Sequence, residues 1–104
     1  MTGTPGEIDT RREGESVTVT VAGEIDLSTA GDLDAAIRAA EETETSRIVV
    51  DLSDLSFIDS TALEVLLRAS NRNREDGNRL SFVRSKHDSV TTLIALTCTT
   101  EMFE

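Results

Sequence analysis

The chain has 104 residues, with 10 Lys or Arg against 20 Asp or Glu, a formal net charge of −10, one cysteine and one histidine. That length accommodates one domain burying roughly 60–70% of its unfolded surface, and the acidity opposes broad binding to a nucleic-acid backbone, which relies on Lys and Arg displacing counterions. One Cys and one His exclude an internal disulfide and a structural zinc site, and no apolar run approaches the roughly 18 residues of a transmembrane helix.

Residues 1–6 hold the only proline and two of the six glycines without hydrophobic periodicity, which predicts a flexible N-terminal arm before a domain over residues 7–104. The polar start lacks the order of a secretion signal, so a soluble, cytoplasmic protein is expected. Residues 8–12 give a weak strand signal. Val17, Val19 and Val21 alternate with Thr18, Thr20 and Ala22 as in a half-buried strand, and Glu13, Gly14 and Glu15 suit the hairpin turn between the two. Ser28 or Thr29 is expected to cap a helix in which Ala30, Leu33, Ala36, Ile37 and Ala40 recur every three or four positions, with Asp32, Asp34, Arg38 and Glu41 mostly outward. Residues 47–52 form a continuous apolar strand of the type found in sheets covered by helices, and the helix before it makes a parallel crossover natural.

Leu55, Phe57 and Ile58 extend that apolar run and lead into Asp59, Ser60 and Thr61, after which helical periodicity begins. A helix over residues 61–76 is expected to bury Leu63, Leu66, Leu67 and Ser70 and to stop at Gly77 and Asn78. Leu80, Phe82 and Val83 read as a strand. Val90, Leu93, Ile94 and Leu96 outline a last helix, whose propensity is lowered by β-branching at Thr91, Thr92, Thr97, Thr99 and Thr100. The element order implies a single α/β domain with a mixed, mostly parallel β-sheet and helices packed against it.

Charge is uneven along the chain. Residues 68–86 carry Arg68, Arg72, Arg74, Arg79, Arg84 and Lys86 against Glu75 and Asp76, giving +4 there and −14 elsewhere. This is either a partner-facing surface or the ordinary complement to the negative end of a helix. Cys98 reads as a small buried apolar residue, and His87, between Lys86 and Asp88, as a solvated loop residue.

Ser60 is the candidate regulatory residue. A hydroxyl at a helix start meets unpaired backbone N–H groups and the positive end of the helix dipole, which favours a phosphate. The same residue types also cap helices, and Thr61 with Glu64 three residues on has the spacing of a capping box.

Two segments carry a family resemblance: Val21-Ala22-Gly23-Glu24-Ile25-Asp26-Leu27-Ser28-Thr29-Ala30 and Asp51-Leu52-Ser53-Asp54-Leu55-Ser56-Phe57-Ile58-Asp59-Ser60-Thr61-Ala62-Leu63. Together they resemble the STAS domain family, specifically the bacterial anti-sigma factor antagonists, also called anti-anti-sigma factors, over about residues 7–85. The resemblance implies partner switching. The unphosphorylated protein binds an anti-sigma factor that is also a serine kinase and so frees a sigma factor for transcription, phosphorylation abolishes the binding, and a phosphoserine phosphatase restores it. In the family the phosphate goes on the serine after the aspartate of an Asp-Ser-(Ser/Thr)-Gly motif, which is Ser60 here, with Thr61 the lesser candidate. Gly23, Glu24, Asp26, Asp59, Thr61 and Glu64 match or adjoin positions lining the partner-binding end. Ala62 and Glu64 stand where the family usually has glycines. Glu64, one helical turn from Ser60, opposes a phosphate there by roughly 0.2–0.5 kcal/mol and bears on the choice of partner.

No enzyme is expected, since one His, one Cys and one Lys cannot assemble a nucleophile, base and orienting acid, and no phosphate-cradling glycine loop occurs. No cofactor, direct nucleic-acid contact or membrane contact is expected either. Two alternatives remain: a STAS regulatory subunit of a transporter such as a lipid-import ABC complex, or a scaffold that is never phosphorylated. A nucleotide held between the Asp26 loop and the start of the Ser60 helix is a weaker third.

Overall fold

Strands β1 (Glu7–Glu13) and β2 (Ser16–Ile25) form an antiparallel hairpin, followed by α1 (Leu27–Glu41), β3 (Arg47–Asp51), β4 (Leu55–Ile58), α2 (Ser60–Glu75), β5 (Leu80–Val83) and α3 (Asp88–Thr97). The computed structural model describes residues 5–98 and 102–103. Expectations for residues 1–4 and for Thr99 and Thr100 fall outside them. Pro5 bridges Glu24, and Gly6 lies so close to it that a Cβ there would come within 2.6 Å of the Glu24 carbonyl oxygen.

The sheet runs β1-β2-β3-β5, with β4 also paired to β2. β2 takes two parallel partners in succession, β3 along residues 16–20 and β4 along residues 23–25. The register shifts between Gly23 and Glu24, and Gly23 adopts φ +78°, a left-handed conformation that costs other residues about 1–2 kcal/mol. β4 is absent from the expected elements because its four residues do not alternate: Leu55 and Ile58 are buried, whereas Ser56 and Phe57 are exposed. A strand this short, adjoining a longer apolar run, has no period of its own.

The core lies on one face of the sheet. Val19, Val21, Ile48, Val50 and Phe82 are fully buried there against Leu33 and Ile37 of α1 and Leu66 of α2. Their neighbours Thr18, Thr20 and Val49 are only half-buried, so the apolar run at 47–52 does not belong to a sheet covered on both faces. Val49 is tolerated because a half-buried, β-branched side chain fits a pleated surface. α1 packs on β2 and α2, whereas α3 packs on β4 and touches α2.

The buried stripe of α2 is Ala62, Val65, Leu66, Ala69, Ser70 and Asn73, while Leu63 and Leu67, expected inside, are half-buried. Small residues at 62 and 69 bring this face close to its neighbours and turn the larger leucines to the rim.

Two polar side chains join the elements. Asn73 Oδ1 accepts the Leu80 N–H at 2.8 Å, so the end of α2 supplies a partner for the first residue of β5. The Arg79 guanidinium donates to the carbonyls of Thr43 and Thr45, each at 2.7 Å, and to that of Glu41, closing the C-terminal end of α1. Gly77 at φ +85° and Asn78 at φ +59° end α2 as their sequence suggests. Cys98 is buried, and burial pushes its thiol pKa up. His87 is exposed and precedes α3 without a side-chain capping bond.

Candidate functional site

Two helices begin where parallel strands end. Ile25 closes β2 and Ile58 closes β4, and the two are register partners, so Asp26 and Asp59 follow side by side on strands about 4.8 Å apart. The Asp59 N–H donates to the Ile25 carbonyl at 3.1 Å, tying the start of α2 to the end of β2.

Each aspartate caps the helix after it. Asp26 Oδ1 accepts the Ser28 N–H at 2.9 Å and the Ser28 hydroxyl at 2.6 Å, while the Asp26 N–H donates to Thr29 Oγ1 at 3.0 Å. Asp59 Oδ1 accepts the Ala62 N–H at 3.0 Å. The caps are thus Asp26, in place of Ser28 or Thr29, and Asp59, in place of a Thr61–Glu64 box. In both cases the chain turns helical one residue after the aspartate, which draws the hydroxyl residues into the first turn. The hydrogen bonds from the Ser28 hydroxyl and amide, the hydroxyl first, hold the Asp26 carboxyl below its ordinary pKa.

Ser60 is therefore the first helical residue of α2, exposed, with no hydrogen bond on its hydroxyl among the described residues. Thr61 beside it is also exposed. Glu64, one turn further along, forms an exposed ion pair with Arg68 rather than reaching back toward the cap.

The segment before Asp26 is laced to the segment before Asp59. The Gly23 N–H donates to the Asp54 carbonyl at 2.9 Å, and the Ser56 hydroxyl donates to the Gly23 carbonyl at 3.1 Å. Glu24 is the register partner of Phe57. Gly23 is buried and Glu24 half-buried, so of the expected partner-binding residues Asp26, Thr61 and Glu64 are the most open.

Two apolar side chains join this surface. Leu27, the first residue of α1, is 73% exposed and Phe57 is 48% exposed. No sequence signal marked Phe57 as exposed, because β4 is too short to carry a period.

Within the basic stretch at 68–86, four of the six cations pair with carboxylates. Arg72 pairs with Glu41 at 2.9 Å, Arg79 with Asp76 at 2.7 Å and Lys86 with Asp54 at 2.8 Å, Arg68 is held by Glu64, and Arg84 lies 5.6 Å from the centre of the Phe103 ring. Glu41 and Asp54 come from more than thirty residues away, so sequence spacing could not anticipate the neutralisation. Among the described residues, no group of three His, Cys, Asp or Glu could hold a metal ion, and no helix is long and apolar enough to cross a membrane.

A family profile described as Mlab, STAS domain matches residues 8–100. Among solved structures, an anti-sigma factor antagonist from Mycobacterium paratuberculosis aligns with a TM-score of 0.76 at 26% identity, over 89% of this chain and 78% of that one. The anti-sigma factor antagonist SpoIIAA in its unphosphorylated form aligns with a TM-score of 0.64 at 18% identity, over 86% of this chain and 83% of that one. The murine Solute Carrier 26 family member A9 anion transporter aligns with a TM-score of 0.65 at 18% identity, over 83% of this chain but 14% of the transporter. At 18% identity the last two likenesses establish shared fold alone. No curated protein matches the sequence.

Proposed function

Because the chain belongs to the STAS domain family, we propose that it is an anti-sigma factor antagonist whose binding is switched off by phosphorylation of Ser60. The unphosphorylated form binds an anti-sigma factor with serine kinase activity, which releases a sigma factor, and a phosphoserine phosphatase resets the system. The protein acts in the cytoplasm as a binding module, without a cofactor and without touching nucleic acid or membrane itself.

The observation carrying this reading is the Ser60 hydroxyl, exposed at the first position of α2 and without a hydrogen bond among the described residues. A phosphate there adds about −1.5 to −2 charges at pH 7. Glu24, Asp26, Asp59 and Glu64 already make the surroundings acidic, and Arg68, two turns along α2, is held by Glu64. Arg68 is thus not free to neutralise the added charge, which acts on whatever docks at this end. The N-terminal amides of α2 accommodate it without unfolding the domain.

Asp26, Asp59, Thr61 and Glu64 form the polar contact set of the docking end in this reading, while Gly23 and Glu24 shape the bulge behind it. Ala62, where the STAS resemblance implies a glycine, is wholly buried and changes the interior only by a methyl group. Glu64 is exposed and is the departure that a partner meets directly.

The test mixes the purified chain with candidate anti-sigma kinases and measures binding of the wild type, Ser60→Ala and Ser60→Asp. Ser60→Ala should bind like wild type, and Ser60→Asp should bind about tenfold or more weakly. Equal binding by the Asp variant would refute a charge-based switch, as would a kinase that modifies another residue and leaves Ser60 untouched.

The profile match and the transporter likeness favour one second reading, a STAS subunit docked on a transporter and indifferent to Ser60 phosphorylation. A pull-down that recovers a transporter ATPase and no anti-sigma kinase would select it.

A further inference from the structure

The end of β2 that leads into Asp26 has backbone packed against it from outside the regular strands. The β1–β2 ladder ends at the Glu7–Ala22 pair, yet the chain before Glu7 stays beside β2, since Pro5 bridges Glu24. Gly6 lies between these two tether points. A Cβ on residue 6 would stand 2.6 Å from the Glu24 carbonyl oxygen and 2.6 Å from Cδ1 of Ile25, inside van der Waals contact with both. Those are the last two residues of β2, immediately before Asp26. Gly6 is not among the glycines with positive φ, so the close approach of two backbones, rather than a left-handed turn, requires glycine here.

We propose that Gly6 is a positioning residue of the Ser60 switch: it lets the backbone at residues 5 and 6 close on Glu24 and Ile25, and so sets where Asp26 and Leu27 stand relative to Asp59 and Ser60. Its functional meaning rests on the reading of Ser60 given above. The route from Gly6 to the start of α2 passes through one residue. Ile25 is fully buried, its Cδ1 is an atom that a side chain at residue 6 would strike, and its carbonyl accepts the Asp59 N–H at 3.1 Å.

The same stretch of β2 is fixed by β4 as well, through the Glu24–Phe57 and Ile25–Ile58 pairs and the Gly23 N–H bonded to the Asp54 carbonyl. The end of β2 is therefore held by residues 5–6 and by residues 54–58 together. A methyl group on residue 6 is not relieved by lifting that residue alone, because residues 5 and 7 are both paired to β2. Close packing passes the displacement to Glu24 and Ile25, and from them to Asp26 and the first turn of α1. Ser60 stays with α2, whose buried stripe is untouched. The substitution thus moves one helix start against the other.

Gly6→Ala in the full chain tests this, with Gly31→Ala as the steric control, because a Cβ at residue 31 meets nothing within 4 Å. The first readout is amide hydrogen exchange by NMR. The Asp59 N–H, bonded to the Ile25 carbonyl, should exchange about fivefold faster in Gly6→Ala relative to the Ile48 N–H, which is bonded to the Arg79 carbonyl at 2.8 Å on the far side of the sheet. The second is steady-state phosphorylation by an anti-sigma kinase that modifies wild-type Ser60. KM should rise about tenfold with kcat within about twofold, since docking reads both helix starts whereas the reacting hydroxyl keeps its place on α2. Asp59 and Ile48 amides that quicken together would reduce Gly6 to a stability residue and overturn the proposal, as would an unchanged KM or an equal effect from Gly31→Ala. If no kinase modifies wild-type Ser60, the reading of Ser60 falls by itself, and the amide ratio still decides whether Gly6 aligns the two helix starts.

Discussion

Asp59 and Ser60 are consecutive residues with separable tasks, because the aspartate bonds the first turn of α2 and the serine hydroxyl has no hydrogen bond among the described residues. Asp59→Ala should cost about 0.5–2 kcal/mol of stability in urea denaturation, whereas Ser60→Ala should change it by less than about 0.5 kcal/mol. A serine variant as damaged as the aspartate variant would return the capping role to the hydroxyl. Asp26 adds a pH signature. Its folded-state pKa is lowered, chiefly by the Ser28 hydroxyl, so its stabilisation is complete above the unfolded carboxyl value of about 3.9 and is lost as pH falls through the lower folded value. The melting-temperature gap between wild type and Asp26→Ala should thus hold steady near neutrality and close in strong acid. A gap that widens with acidity would contradict that assignment. Ser60 as a residue of interest was legible from its position before a periodic stretch, but which neighbour caps the helix was not. Asp, Ser and Thr all accept the same bond, and only the turn geometry selects among them.

At the scale of elements, the strand–helix alternation was readable where periodicity was long. α1, α2 and β2 have ten to sixteen residues, enough for a repeat to stand out. β4 has four residues and no alternation, and it emerged only because β2 runs past the end of β3 and offers a second stretch of pairing edge. Arg79 shows the same limit for side chains. It reads as one cation in a basic stretch, yet it gathers three carbonyls at the end of α1 and the Asp76 carboxylate. Arg79→Ala should therefore cost about 2–4 kcal/mol, well above a surface ion pair. Arg79→Lys should recover little of it, since an ammonium lacks the planar fork that reaches several acceptors at once. A loss below about 1 kcal/mol on chemical denaturation would show that water replaces these bonds readily.

For the whole molecule, the net charge of −10 sets a long-range repulsion against pairs that act only across contact distance. Raising ionic strength from about 0.01 M to 1 M shortens the screening length from about 30 Å to about 3 Å. The melting temperature should rise as the repulsion is screened, and a fall would mean that the local pairs dominate. The sequence by itself determined the α/β class, the order of the long elements, the acidity and the singling out of Ser60, because periodicity, charge and helix-start chemistry act over a few neighbouring residues. The tertiary structure alone decided that Asp26 and Asp59 stand side by side, that Arg68, Arg72, Arg79 and Lys86 of the basic stretch pair with carboxylates, that Thr18, Thr20 and Val49 stay half-buried on the sheet and that Leu27, Phe57, Leu93 and Leu96 reach solvent. These are contacts, or absences of contact, between residues far apart in the chain. No local pattern encodes them, since which side chains meet depends on how the strands register and which helix faces the core takes up.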